Sequence, residues 1–211
     1  GGIWILFMNA DGTVRQGQEI SENEGGLNQD FANNAVFGRD IAYLGKINTA
    51  NTLSYIAVGA DKEASTGTVW VLGLTPDGMV ADWQKINNLS GGMQGNLQNG
   101  DLFGTSVANI GDLDNDGIPE LAVVATGDDE AGNNSSAIWI LFMNENGTAS
   151  QTQKINAVQG DFNATLTSSI FNIANMNDVN GDGIPDMVMG TADNEAWIIF
   201  LDSDGTVNEN V

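Results

Sequence analysis

Ile3-Trp4-Ile5-Leu6-Phe7-Met8 returns almost unchanged as Ile138-Trp139-Ile140-Leu141-Phe142-Met143, with Val69-Trp70-Val71-Leu72-Gly73-Leu74 between them and Ala196-Trp197-Ile198-Ile199-Phe200-Leu201 after. The four tryptophans stand 66, 69 and 58 residues apart. Each run is short, apolar and rich in β-branched or aromatic residues, as buried strands are. Seven residues beyond each Trp lies a turn dipeptide, Asp11-Gly12, Asp77-Gly78, Asn146-Gly147 and Asp204-Gly205, of the kind that accepts positive φ in a tight hairpin. Fourteen residues beyond the first three come Gln18-Glu19-Ile20, Gln84-Lys85-Ile86 and Gln153-Lys154-Ile155. Self-similarity at a fixed period marks a repeat architecture.

The other half of the unit follows the same spacing. Phe37-Gly38 lies 33 residues after Trp4 and Phe103-Gly104 lies 33 after Trp70, each opening another apolar run. Residues 54–60, 120–126 and 186–191 are short apolar stretches ending in small residues. Each repeat is therefore expected to hold four strands: the Phe-Gly strand, an Ala-Val strand, the Trp strand and the Gln-Lys-Ile strand. No segment sustains a 3.6-residue period, so helix is expected to be minor. Four short antiparallel strands per repeat, joined by Gly-rich turns, describe an all-β propeller blade better than a sandwich.

Composition narrows the chemistry. The 211 residues, 22.2 kDa and 41% hydrophobic, suffice for a real core. Twenty-eight acidic residues against six basic ones give a net charge of −22. Such a chain repels nucleic acid and attracts cations. Its lack of cysteine and histidine removes disulfides, thiolate catalysis, Cys-type zinc sites and the commonest general base. No apolar run approaches the ~18 residues of a spanning helix, so membrane insertion is not expected. The start at Gly1-Gly2, without Met or a basic n-region, reads as a mature or excised piece.

The strongest chemical signal is Asp112-Leu113-Asp114-Asn115-Asp116-Gly117-Ile118-Pro119-Glu120, echoed by Asp178-Val179-Asn180-Gly181-Asp182-Gly183-Ile184-Pro185-Asp186. A hard cation such as Ca²⁺ takes about six to eight oxygens, which side chains at positions 1, 3, 5 and 9 and a carbonyl at 7 can supply. The candidate ligands are Asp112, Asp114, Asp116, Ile118 and Glu120 in one loop and Asp178, Asn180, Asp182, Ile184 and Asp186 in the other, two Ca²⁺ sites in all. An EF-hand needs Glu at position 12, where Val123 and Met189 stand, and strands rather than helices follow. An Asp/Asn/Gly-rich turn that binds nothing is the alternative, and the duplication argues against it. In the first repeat Lys46-Ile47-Asn48-Thr49-Ala50 occupies the equivalent position without a carboxylate; that loop is expected to be metal-free, with the Lys46 ammonium partly standing in for the ion.

Phe103-Gly104, the acidic loop at 112–120 and Val58-Gly59-Ala60 resemble the FG-GAP repeat, the blade unit of the integrin α-chain head and of many bacterial surface proteins. The resemblance spans essentially the entire chain. The third repeat departs from it with Ser169-Ile170 in place of Phe-Gly, and Val124-Ala125-Thr126 and Met189-Gly190-Thr191 in place of Gly-Ala. The resemblance implies that the acidic loop joins the first two strands of a blade and binds Ca²⁺.

Other features have a structural alternative. The Trp stripe could stack sugars, but a fixed mid-strand position suits packing between blades. Trp83, off the register, is the better candidate for an exposed contact. Asn88, Asn133, Asn134, Asn146 and Asn163 head Asn-x-Ser/Thr sequons, which an Asn-rich chain also produces by chance. Paired carboxylates are the only catalytic machinery available; the clustered ones belong to the calcium loops, while Asp61, Asp101, Asp128, Asp129 and Asp161 are scattered through loops, so no enzyme is expected.

The blades are expected over 37–86, 103–155 and 169–211, preceded by a half blade over 1–20, within one domain at 1–211. Three and a half blades do not close a ring, and open edges present unpaired backbone groups. The chain could be part of a longer propeller, complete a ring with a second copy, or propagate head to tail into a filament. The sequence thus points to an extracellular or cell-surface, bacterial, non-enzymatic module for structural assembly and adhesion that self-associates through open blade edges. A propeller that recognises protein or glycan is the alternative, and a carbohydrate-active domain the third.

Overall fold

A computed structural model describes residues 1–132, 135–162 and 170–210, with backbone alone at Glu209 and Asn210. The fold is all-β. Strands β1 (Ile3–Met8) and β2 (Val14–Ile20) form a two-stranded sheet. Strands β3 (Ile41–Gly45), β4 (Ser54–Ala60), β5 (Thr68–Leu74) and β6 (Val80–Ile86) form the first four-stranded sheet, in that order. The second holds β7 (Phe103–Gly111), β8 (Glu120–Ala125), β9 (Ala137–Met143) and β10 (Ala149–Ile155), the third β11 (Ile170–Asn177), β12 (Asp186–Thr191), β13 (Ala196–Leu201) and β14 (Val207–Asn210). Every strand pair is antiparallel, and helix is limited, among the described residues, to one 3-10 turn at Glu63–Ser65.

The turn dipeptides close four like hairpins. In each, the glycine N–H bonds the carbonyl three residues back, from Gly12 to Asn9, Gly78 to Thr75, Gly147 to Asn144 and Gly205 to Asp202. Each of these glycines has φ between 79° and 84°, which a Cβ would disfavour. A register shift follows in each returning pair, the bulge that a left-handed residue after a type I turn produces.

The expected Phe-Gly strand begins later than the sequence suggests in one repeat. Phe103 opens β7, but β3 starts at Ile41 rather than Phe37. Gly38 has φ of +89° and, with Arg39, donates to the Gly59 carbonyl, so the chain turns here before it pairs. Phe37 stays in the core, its ring 4.4 Å from Phe31 and 6.0 Å from Trp70.

Three apolar layers lie between successive sheets. Ile3 and Ile20 pack with Trp70 and Leu72; Val69 and Val71 pack with Trp139 and Leu141; Ile138 and Ile140 pack with Ile199 and Leu201, with Trp197 at the margin. Strand alternation thus turns each Trp toward the preceding sheet. Trp70 is fully buried and Trp139 is 3% exposed. Trp4 departs from the expected core role: it is 60% exposed, with Leu6 and Met8 exposed beside it, because no described sheet lies on that face. Trp83 departs in the other direction. It is half-buried, 5.6 Å from Trp70, and is core rather than contact.

Glycines let the sheets approach. A Cβ on Gly59 would lie 2.1 Å from the carbonyl oxygen of Gly104, and one on Gly104, at φ +97°, would lie 2.7 Å from that of Thr68. The Gly-Ala end of β4 and the Phe-Gly start of β7 in the next repeat therefore touch through backbone. Gly59→Ala must push these sheets apart and is expected to cost about 1–3 kcal/mol, the usual range for overpacking. Urea denaturation checks this; a change within error of zero would show that the sheets slide freely.

Candidate metal centre

The two acidic loops join β7 to β8 and β11 to β12, and they fold alike. Asp112 accepts from the N–H groups of Asp116 and Gly117, while Asp178 accepts from those of Asp182 and Gly183. Asp116 and Asp182 each accept from the isoleucine two residues on, Ile118 and Ile184. Asp114 and Asn180 accept from Asp116 and Asp182. Asn115 and Gly117 in the first loop, and Gly181 and Gly183 in the second, have positive φ between 60° and 94°. Short acceptor side chains thus wind the backbone into a tight coil with its oxygens inward, as Asx-type bonds do.

The coil brings one carboxylate oxygen from each of Asp112, Asp114 and Asp116 within 4.8 Å of the others. The second loop offers Asp178, Asn180 and Asp182 in the same conformation, with Asn180 Nδ2 donating to Asp182 at 2.9 Å. Ile118 and Ile184, assigned here for their carbonyls, pack their side chains against the layers between sheets. Position 9 behaves differently from positions 1, 3 and 5. Glu120 and Asp186 are fully buried at the starts of β8 and β12. Glu120 Oε2 accepts from the Leu113 N–H at 2.5 Å, and Asp186 Oδ2 from that of Val179 at 2.8 Å. One oxygen of each carboxylate thus ties the base of its loop to the strand that follows.

The first loop fits a divalent cation. Glu120 Oε1 is buried with no hydrogen-bond partner among the described residues. Burial first, then the charges of Asp114, Asp112 and Asp116, push the Glu120 carboxyl up to about 8, against the Leu113 N–H that works the other way. Four acids and no base share this loop, so only a proton or a cation relieves them. The equivalent loop of the first repeat replaces the acids with amides: Asn48 accepts from Ala50 N–H, and Asn51 from Leu53 N–H. Lys46 is exposed and forms no ion pair with another described residue, so it does not stand in for an ion.

The stretch from Phe103 through this loop to the Trp139 strand, residues 103–141, matches the model of the FG-GAP repeat family. This stretch is an FG-GAP repeat. A segment of 100 residues, 46% of the chain, is 28% identical to integrin alpha-5 of Xenopus laevis, of whose length it spans 9%. The acidic loop of the FG-GAP stretch links the first two strands of its sheet, β7 and β8, and the loop at 178–186 links β11 and β12 in the next.

Two sets of residues escaped the sequence reading. Asn109 Nδ2 donates to the Tyr43 carbonyl at 2.9 Å, and Asn175 Nδ2 to the Asn109 carbonyl at 3.0 Å. They step from β3 to β7 to β11 at intervals of 66 residues, a spacing that would have revealed them. The second set is the loop acids taken as scattered. Asp61, Asp101 and Asp128 are buried: Arg39 pairs with Asp61 at 3.4 Å, Lys154 with Asp128 at 2.6 Å, and Asp101 accepts from Gln98 N–H at 2.7 Å. Desolvation raises the Asp61 and Asp101 carboxyls above their ordinary values. Of the sequons, Asn88 and Asn146 sit exposed in turns, while Asn133, Asn134 and Asn163 lie outside the described residues, as do Ser169 and Val211. Among the described residues no helix is long and apolar enough to cross a membrane.

Proposed function

We propose that the chain is a calcium-stabilised, non-enzymatic binding module of an extracellular or cell-surface protein, a run of FG-GAP blades that serves adhesion through protein or glycan contacts. The convergence of Asp112, Asp114 and Asp116 on one centre, with Glu120 buried behind it, carries this reading. Hard oxygen donors in a flexible coil suit Ca²⁺ better than Mg²⁺, which demands near-ideal octahedral geometry. The second ion belongs to Asp178, Asn180 and Asp182. Calorimetric titration with CaCl₂ is expected to show two ions per chain, with Asp112→Ala and Asp178→Ala each removing one. Absence of calcium heat in the unaltered chain would overturn the metal role.

The exposed β1 face favours a second reading, assembly of copies. Trp4, Leu6 and Met8 occupy the face that in β5 and β9 packs on a preceding sheet. At the other end, strand alternation places Ile198 and Phe200 on the free face of β13, as Ile138 and Ile140 stand on β9. The last sheet of one copy stacked on the first of another would make a heterologous contact, which closes into a ring or runs on as a filament. Light scattering is expected to give masses above one chain that Leu6→Lys reduces to one. A single-chain mass for the unaltered protein at every concentration would refute the assembly.

A further inference from the structure

Trp70, Trp139 and Trp197 share a repeat position but not their surroundings. Trp70 donates Nε1–H to Glu63 at 2.6 Å and meets the Phe31 ring at 5.5 Å. Trp197 donates to Glu195 at 3.3 Å and meets Phe162 at 5.8 Å. Trp139 has neither: its Nε1 is buried without a hydrogen-bond partner among the described residues, and no phenyl ring covers it there. Gly95 lies against it instead, where a Cβ would come within 2.3 Å of the indole. Beside Trp139 a half-open cleft of about 300 Å³ runs between the loop at 94–98 and β10.

Five primary amides, Gln94, Asn96, Gln98, Gln153 and Gln159, line this cleft together with Trp139. None of its lining residues is Leu, Ile, Val, Met or Phe. The side chains of Asn96 and Gln98 bond no other described residue. Lys154 is the cation in the cleft, and it is already held by Asp128 at 2.6 Å and Glu130 at 2.5 Å. No basic group is therefore left for a phosphate or carboxylate. Amides offer a donor and an acceptor side by side, the pattern that vicinal hydroxyls of a sugar present in reverse. The volume stands at the small end of ligand sites.

We infer that this cleft is a saccharide-binding subsite that takes a neutral pyranose unit. It rests on the reading of the chain as a binding module and names the ligand class. The amides of Asn96 and Gln98 hold the hydroxyls, and Trp139, its ring covered by Gly95 and by Lys154 Nζ at 5.2 Å, backs the cleft with an N–H that lacks a partner. Its two neighbours are closed to the same ligand by Phe31 and Phe162.

Saturation-transfer NMR with glucose, galactose, mannose and N-acetylglucosamine, each titrated in calcium buffer, tests the subsite. At least one is expected to bind with a dissociation constant of about 10 mM or tighter. Gln98→Ala should weaken it about tenfold, the value of a lost hydrogen bond or two. Asn96→Phe, which supplies the missing ring, should abolish binding while the melting temperature holds. No binding of any of the four sugars to protein whose calcium-dependent melt is intact would overturn the subsite and leave the calcium reading standing. So would unchanged binding in Asn96→Phe, or binding of acetyl-hexaglycine amide with none of the sugars. Sugar binding retained in a chain indifferent to calcium would uphold the subsite and count against the metal role.

Discussion

Replacing Trp70 by alanine is expected to destabilise the chain by about 3–5 kcal/mol, the range for losing a large buried aromatic. Trp70 has no exposed surface, and its ring is enclosed by Phe31, Phe37 and Trp83. Those rings come from the loop before β3 and from β6, so collapse around the vacancy requires separate elements to move together. The loss is not only apolar. Lys85 Nζ lies 4.0 Å above the Trp70 ring and bonds Glu63, which also takes the indole N–H. Alanine leaves Glu63 buried with one partner fewer, which adds to the cavity cost.

Trp4→Ala is the matched control. The residue has the same repeat position but is 60% exposed, so its loss should change the stability of the single chain by no more than about 0.5 kcal/mol. Urea denaturation of both variants separates them if the dependence on denaturant stays constant. Equal losses would mean that the Trp4 face is covered in solution by something as close-packed as a sheet. That outcome would favour assembly of copies, and scattering at the same concentration would distinguish it from a local effect.

The contrast shows where sequence reading reaches and where it stops. A 66-residue period placed the Trp strands and their hairpins, because alternation and turn chemistry are local. It also placed both acidic loops, whose oxygens are spaced along one short segment. What it missed depends on which sheet faces which. Trp4 and Trp70 are indistinguishable along the chain, and only the stacking order buries one and exposes the other. Likewise Asp61 and Asp128 read as loop acids, since Arg39 and Lys154 reach them through tertiary placement. Lys154 shows how local expectation fails: burial works against its charge, yet the hydrogen bonds to Asp128 and Glu130 outweigh that and hold the ammonium above its ordinary value. The inward turn of Glu120 and Asp186 was hidden for the same reason. The nine-residue pattern shows which oxygens are available, whereas the strands that follow decide which of them stay exposed.

Removing calcium is expected to lower stability by about 2.7 kcal/mol per loop when the metal was present at a hundredfold excess over its dissociation constant. For two loops in a chain of this size, a fall in melting temperature on the order of 10–20 °C follows. Two causes could produce such a fall, and salt separates them. If the acidic loop were only a crowded turn, its penalty would be repulsion among Asp112, Asp114 and Asp116, whose oxygens lie within 4.8 Å. Sodium chloride at about 1 M brings the screening length to about 3 Å, which should relieve most of that repulsion. Coordination is not replaced by screening, because a monovalent ion does not bind the three carboxylates as one ligand set. Melts in EGTA with added sodium chloride are therefore expected to recover less than half of the calcium effect, and the double variant Asp112→Ala with Asp178→Ala should melt alike with and without calcium. Full recovery in salt would reduce both loops to solvated acidic turns, and an unchanged melt in EGTA would remove the metal from the account of stability altogether.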